Sequence, residues 1–225
     1  MERILEKFEK NPGSSYFFSD GILIDENDME TGEKLWDTVS FKRKKQGKFK
    51  AGFQKELLIK RNYITGATLA FRSQIKKYIL PISANFVHDH WIAIILAFID
   101  NSGNFINEPL IKYRVHSQQV LSVPTDSIWK IIKTLMKGHK QTFESQIRQF
   151  RDLKERLYSL HILNENDKKF IDGIIFYFSE RNRMYEIAKK ERLKAIGNLF
   201  NKGFYRKYSS SNLIAIKDFV QKVLF

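Results

Sequence analysis

The chain has no cysteine and few residues that interrupt secondary structure. Its 225 residues include 4 prolines and 11 glycines and no cysteine. The absence of cysteine excludes disulfides and thiolate metal sites, and it fits a reducing compartment. The sequence also contains no Gly-rich phosphate-binding loop and no Ser-His-Asp arrangement, so two common kinds of nucleotide and hydrolase site are not indicated.

Long apolar runs are lacking as well. The longest apolar-rich stretch, residues 91–99, is much shorter than the ~20 residues that a membrane-spanning helix needs. Residues 1–10 are charged and amphipathic and do not contain the apolar core of a secretory signal. We therefore expect a cytoplasmic protein that is soluble or lies against the inner face of the cell membrane.

Positive charge is concentrated in the second part of the chain. Residues 1–123 carry 18 Lys and Arg against 14 Asp and Glu, whereas residues 124–225 carry 21 against 11. Basic surfaces attract the phosphates of nucleic acids, anionic lipids and nucleotide sugars. Nucleic acid is the least expected partner, because the aromatic residues are not interleaved with basic ones. A solvated, lysine-rich helical surface is the alternative interpretation.

The first part of the chain, residues 1–123, mixes strand and helix patterns, which indicates the α/β class. The predicted elements are a helix over 2–10, a strand over 15–25, an acidic turn over 26–34, an exposed mobile basic loop over 42–50, a helix over 88–98 and one or two strands over 103–115. Gly66 lies among strand-forming residues, where a glycine commonly marks a bend or a close backbone approach.

Residues 124–225 follow a different pattern. Pro124 interrupts the chain, and apolar residues then recur at the spacing of amphipathic helices. The predicted apolar faces lie over 128–136, 147–160, 167–188, 191–200 and 213–224. We therefore predict a second segment that is basic and all-helical. Its lysine-rich stretch at 128–140 favours association with an anionic membrane surface or a partner protein.

A polar cluster at the start of the predicted apolar helix carries candidate chemistry. It consists of His88, Asp89, His90 and Trp91. A carboxylate at a loop-to-helix junction, with an imidazole on either side, can accept a proton from a substrate hydroxyl. It can equally cap the amides of the helix. His88, Asp89, His90 and His116 together form at most a weak metal signature.

A second cluster closes the predicted strand over 103–115. It contains Tyr113, Arg114 and His116. Arg114 and His116 alternate along the strand and should point to the same face. Arginine suits bidentate contact with phosphate, and histidine can donate to a phosphate oxygen or bind a divalent ion. An ion-paired strand end is the alternative for either residue.

Four motifs follow one another in an order that resembles a known family. They are YFFSDGILID, NYITGATLAFRS, LPISANFVHDHW and NEPLIKYRVHSQQV. Their order and spacing resemble the second half of family 2 glycosyltransferase domains, most closely the rhamnosyltransferase-like group that builds bacterial surface polysaccharides. For residues 1–123 the resemblance implies the C-terminal part of a GT-A, Rossmann-like domain. It also implies a nucleotide-sugar donor, a glycan or lipid-linked acceptor, and transfer with inversion.

The resemblance implies an acceptor-side role for five residues. Asp89 matches the catalytic base that removes a proton from the acceptor hydroxyl. Trp91 would pack beside it, and both Trp91 and His88 would contact the substrate. Thr65 and Gly66 match the segment that lines the acceptor side of the cleft.

On the donor side the resemblance concerns the second cluster. Tyr113, Arg114 and His116 match the family's terminal Tyr-Arg-x-His motif, which lies near the donor diphosphate and a divalent Mg²⁺ or Mn²⁺. His116 is the metal-binding candidate. The family usually has asparagine after this motif, whereas here Ser117, Gln118 and Gln119 would follow without it.

The resemblance also implies a part that these residues do not contain. The family carries an Asp-x-Asp metal motif ahead of the matching segment, and no Asp-x-Asp occurs in the 225 residues. The expectation is therefore a truncated or split enzyme that is completed by an N-terminal, nucleotide-binding half on a separate polypeptide. The alternative is a catalytically inactive basic interaction module that docks on a membrane surface or a partner protein.

Overall fold

The computed structural model describes residues 2–115, 143–211 and 213–220. The chain divides into two compact units, a sheet-containing unit of residues 1–124 and a helical unit of residues 125–225. The first has the mixed α/β architecture expected from the sequence, built on a small open sheet. The finer prediction of a GT-A fold stays a prediction. The helix predicted at 128–140 lies outside the described residues.

A nearly fully buried strand forms the centre of the sheet. The four strands are β1 (Tyr16–Ile24), β2 (Glu30–Lys34), β3 (Leu69–Phe71) and β4 (Gly103–Arg114). β4 runs parallel to β1 along its whole length. The other edge of β1 is shared, because β3 pairs antiparallel with its start and β2 with its end. β1 therefore needs apolar side chains on both faces, which its YFF and ILI runs provide.

The parallel pair is interrupted near its middle. The register between β1 and β4 shifts twice between Ser19 and Gly21, and Pro109 lies in the irregular part of β4, where a missing N–H is tolerated. Beside the shift, the buried carboxylate of Asp20 accepts hydrogen bonds from the backbone N–H groups of Gly21 and Trp36 at 2.8 and 2.9 Å. Burial raises the pKa of Asp20. This carboxylate links the sheet to the short helix that follows β2.

Six α-helices accompany the sheet in the described part of this unit. They are α1 (Glu2–Lys10), α2 (Leu35–Thr38), α3 (Arg43–Lys50), α4 (Gln54–Leu58), α5 (Lys76–Ile79) and α6 (His88–Ile99). The sequence correctly predicted the first and last of these helices, as well as β1 and β4. From Trp91 to Phe98 every residue of α6 is buried, because a helix that is apolar all round has no face to offer to water.

The basic run at 42–50 was wrongly predicted to be a loop. Residues Arg43–Lys50 form helix α3. Phe49 is fully buried, and the ammonium group of Lys45 lies 4.8 Å from the centre of the Tyr63 ring. The helix is stabilised by the burial of one aromatic side chain and by lysines that lie over aromatic rings, which the charge of the run conceals.

The acidic turn predicted at 26–34 is correct only in its first half. Its second half forms β2, whose five residues are all exposed. The hydroxyl of Thr31 donates to the carbonyl oxygen of Leu23 at 3.2 Å, and Gly32 adopts a φ of +81°. Pairing with the end of β1 therefore decides the conformation of a segment that has no apolar pattern of its own.

The helical unit contains five described helices. They are α7 (Glu144–Ser159), α8 (Glu165–Arg183), α9 (Lys189–Asn201), α10 (Phe204–Tyr208) and α11 (Leu213–Val220). Four of them confirm predicted helices, and α10 was not predicted. Its start follows Gly203, which has a φ of +70°, a conformation that glycine adopts without strain. No helix in the described ranges is long and apolar enough to cross a membrane.

A buried ion pair joins two helices of this unit. The Arg181 guanidinium in α8 donates to both carboxylate oxygens of Asp218 in α11, each at 2.7 Å. The hydroxyl of Tyr205 in α10 donates to the same carboxylate at 2.9 Å. The guanidinium also lies 4.2 Å from the centre of the Phe143 ring. Three helices thus meet at one desolvated carboxylate.

Candidate functional site

The candidate site is built around the carboxylate of Asp89 in the first turn of α6. Asp89 is only 6% exposed. Its Oδ1 accepts hydrogen bonds from the Asn62 side-chain amide at 2.8 Å and from the His90 N–H at 2.6 Å. Its Oδ2 accepts one from the Gly66 N–H at 2.8 Å. The carboxylate therefore ties the 62–66 segment to the start of the helix.

The carboxylate of Asp89 is not the N-cap of α6. The N-cap residue is Val87, which makes no side-chain cap. The positive end of the helix dipole nevertheless stabilises a negative charge in the first turn. A carboxylate offers about four acceptor positions, and three are in use. The fourth position, on Oδ2, has no donor among the described residues.

Gly66 allows the two motif segments to approach each other closely. A Cβ added at Gly66 would lie 2.4 Å from Nε2 of His88 and 3.5 Å from Oδ2 of Asp89. The sequence had indicated such a close approach for this glycine. His88 is exposed, and Thr65, which precedes the glycine, is half-buried. These two side chains and the Gly66 backbone form the rim beside the carboxylate.

Trp91 and His90 support the site from the core side. The indole of Trp91 is 2% exposed, and its N–H donates to the carbonyl oxygen of Ile79 at 2.7 Å. Nε2 of His90 lies 2.7 Å from the carbonyl oxygen of Leu58, so this nitrogen carries the proton. The structure gives Trp91 a packing role, and the substrate contact implied for it stays a prediction.

The buried imidazole of His90 should make stability depend on pH. Burial lowers the pKa of His90 in the folded chain, so below the unfolded-state pKa of about 6.5 the unfolded chain binds a proton that the folded chain does not. We expect the free energy of unfolding to fall as pH drops below that value, by up to about 1.4 kcal/mol per pH unit for this group.

The test is urea unfolding of the wild type and of His90→Gln across this pH range. Glutamine retains an N–H donor near Leu58 but does not titrate. The variant should therefore show the smaller difference between neutral and mildly acidic pH. An unchanged pH dependence in His90→Gln would contradict the assignment.

Asn62 is a site residue that the sequence analysis missed. Its side-chain oxygen accepts a hydrogen bond from the N–H of Ile64 at 3.0 Å, which leaves its amide free to donate to Asp89. Asparagine commonly bonds the backbone two residues ahead of it in a turn. Its position at the start of the motif that contains Gly66 was the available signal.

The second cluster lies at the end of β4 and has different contacts. The Arg114 guanidinium donates to the carbonyl oxygens of Asp25 and Glu26 at 3.1 Å each and to the Asp28 carboxylate at 2.5 Å. Parallel pairing of β4 with β1 brings it to this turn. Arg114 therefore forms the ion-paired strand end that the sequence left open as the alternative to phosphate contact.

The other members of that cluster are Tyr113 and His116. Tyr113 pairs with Leu23 in the sheet and is half-buried. His116, the predicted metal ligand, lies outside the described residues. The diphosphate contacts implied for Tyr113 and Arg114 stay predictions.

The described residues do not by themselves fit the divalent metal that the family resemblance implies. Within residues 2–115, 143–211 and 213–220, no three histidine or carboxylate side chains come together in a way that could hold an ion. The Asp89 carboxylate instead accepts hydrogen bonds from three N–H donors.

Comparison with known proteins yields no match. No protein-family model, no curated protein and no solved structure matches the chain. Functional inference therefore depends on the chemistry of the Asp89 cluster and on the order of the sequence motifs.

Proposed function

We propose that the sheet-containing unit supplies the acceptor side of an inverting, family 2-like glycosyltransferase. The reaction transfers a sugar from a nucleotide-diphosphate donor to a glycan or lipid-linked acceptor in the synthesis of cell-surface polysaccharide. The observation that carries the proposal is the hydrogen bond from Gly66 to Asp89. It joins two motif segments that the resemblance independently assigns to the acceptor cleft.

In the proposed reaction Asp89 acts as the general base. The acceptor hydroxyl donates to Oδ2 of Asp89 and transfers its proton to that oxygen as the bond to the anomeric carbon forms. The bond from the anomeric carbon to the diphosphate oxygen breaks on the opposite face, and its electron pair leaves with the nucleoside diphosphate. Atoms and charge balance, because the base gains the proton that the acceptor loses.

The neighbours of Asp89 hold the base in position. Asn62 and the Gly66 N–H each donate to one carboxylate oxygen, which fixes the plane of the carboxylate before substrate binds. The exposed imidazole of His88 lies on the rim, where it can hydrogen-bond an acceptor hydroxyl. The hydrogen bonds of Trp91 and His90 to backbone carbonyl oxygens anchor the first turn of α6 on its core side.

The proposal is tested in the cells that make the protein. The gene is deleted and restored on a plasmid, and membranes from both strains are incubated with isotope-labelled UDP-, GDP- and dTDP-sugars and Mn²⁺. We expect at least one donor to label lipid or glycan only when the gene is present. Native membranes retain any further polypeptide that completes the enzyme, so the assay does not depend on activity of the chain alone.

The proposal fails if no donor in the panel gives gene-dependent label in either the lipid or the glycan fraction. Hydrolysis of the donor, with all of the label recovered as free sugar and none in an acceptor, would also contradict transfer. Analysis of the anomeric configuration of the product would separately test inversion.

A further inference from the structure

Helix α9 exposes large apolar side chains on the side that faces away from its own core. Leu193 and Phe200 are 43% and 55% exposed. They are seven residues apart and so lie two turns apart on the same side of the helix. Arg192, Ala195 and Leu199 are buried and mark the opposite, inward side. Leu193 and Phe200 thus form a partly exposed apolar ridge on the outward side of the helix.

Lysines and a glycine accompany this ridge. Lys190 and Lys194 are exposed. Lys190 lies one turn before Leu193 on the outward side, and Lys194 lies about 100° further round the helix, also away from the buried residues. Gly197 lies between Leu193 and Phe200, and a Cβ added there would meet nothing within 4 Å. The outward side is therefore an apolar ridge with an open notch, flanked by positive charge.

A neighbouring helix repeats the pattern. α11 packs against α9, and its residues Ile216 and Phe219 are 56% and 45% exposed. They are three residues apart and share one side of α11. Residues 124–225 as a whole carry an excess of ten positive charges, 21 Lys and Arg against 11 Asp and Glu.

We infer that the outward side of α9 docks on an anionic lipid bilayer. Leu193 and Phe200 enter the boundary between headgroups and acyl chains, while Lys190 and Lys194 contact lipid phosphates. Charge complementarity selects this occupant, because lysine is depleted in the buried centres of protein interfaces. The inference goes beyond glycosyl transfer and does not require it.

The first test measures binding of the full chain to lipid vesicles by cosedimentation. Vesicles of phosphatidylcholine with phosphatidylglycerol are compared with vesicles of phosphatidylcholine alone. We expect binding to the anionic vesicles that weakens as salt is raised. Replacement of both Lys190 and Lys194 by glutamine should weaken it by about fivefold per lysine at low salt.

Variants of the ridge separate its contribution from general charge attraction. Leu193→Gln with Phe200→Gln should weaken binding by at least about tenfold, because apolar area no longer leaves water. The matched control is Tyr158→Gln in α7, which changes a side chain that is 71% exposed on another helix. We expect the control to bind as the wild type does.

Substitutions at Gly197 test whether added apolar area strengthens vesicle binding without a loss of helix stability. Leucine and glutamine have similar helix propensities and both exceed glycine, and the space at this position is open. Gly197→Leu should therefore strengthen vesicle binding by several-fold relative to Gly197→Gln. Both variants should be at least as stable as the wild type.

Three outcomes would overturn the inference. The first is no binding of the wild type to anionic vesicles. The second is equal binding by the ridge variant and the Tyr158→Gln control, which would place the contact elsewhere on the chain. The third is a dimer that light scattering detects and that the ridge variant dissociates, since a second copy would then cover the ridge.

Discussion

Replacement of Asp89 by asparagine should reduce gene-dependent sugar transfer by at least about 100-fold, the size of a lost general base. Asparagine has nearly the same shape but does not accept a proton from the acceptor at neutral pH. One of its two terminal atoms becomes an N–H donor, which must face the donor of Asn62 or Gly66. We expect this mismatch to lower the free energy of unfolding by about 1–3 kcal/mol.

The measurement combines the labelling assay in the complemented strain with urea unfolding of the purified chain. The matched control is Asp100→Asn, the same chemical change at the exposed C-cap of α6. This control should leave transfer unchanged. Transfer by Asp89→Asn within about threefold of the wild type would be incompatible with the base role. A structural role alone predicts transfer that falls only as far as the amount of folded protein falls.

Replacement of Arg181 by alanine should destabilise the helical unit by about 3–5 kcal/mol. Among the described residues, the variant leaves the buried carboxylate of Asp218 with the Tyr205 hydroxyl as its one remaining donor, and an unpaired buried charge is costly. The cation-π contact with Phe143 is lost as well. Urea unfolding followed by circular dichroism measures the loss, and hydrogen exchange should locate it in α8 and α11.

Two further variants show whether the cost comes from the unpaired charge. Arg181→Met combined with Asp218→Leu removes both charges and should recover much of the lost stability. Arg183→Ala breaks an exposed pair with Glu180 and should cost no more than about 1 kcal/mol. Equal effects of Arg181→Ala and Arg183→Ala would contradict the argument.

Local composition was sufficient for the main elements of the sheet-containing unit. The aromatic and β-branched run of β1 and the continuous apolar run of α6 are each apolar enough to be predicted as buried without knowledge of their neighbours in the fold. The run at 42–50 shows where composition misleads. Its lysines suggest a solvated loop, but the burial of Phe49 and the contact of Lys45 with Tyr63 make it a helix. Those partners are distant in sequence, so no local pattern reports them.

The candidate site was likewise only partly predictable from the sequence. Asp89 and Gly66 were recognisable from local sequence, because Asp89 lies between two histidines at a helix start and Gly66 lies among strand-forming residues. The hydrogen bond between them, and the part that Asn62 plays, depend on the path of the chain between residues 66 and 89. The chemistry of each side chain follows from the sequence, whereas packing decides that two groups 23 residues apart form a hydrogen bond.

Arg114 shows most clearly what the sequence alone left undecided. Its type and its place at a strand end were consistent with either a phosphate contact or an ion pair. Parallel pairing of β4 with β1 places the turn after β1 within reach of its guanidinium, and three acceptors there engage it. The residues alone predicted strands β1 and β4, helices α1 and α6 and four helices of the helical unit, and they marked Asp89 as a candidate base. Only the tertiary structure chose the partners of each charge, because hydrogen bonds and ion pairs form between groups that folding, and not sequence proximity, brings together.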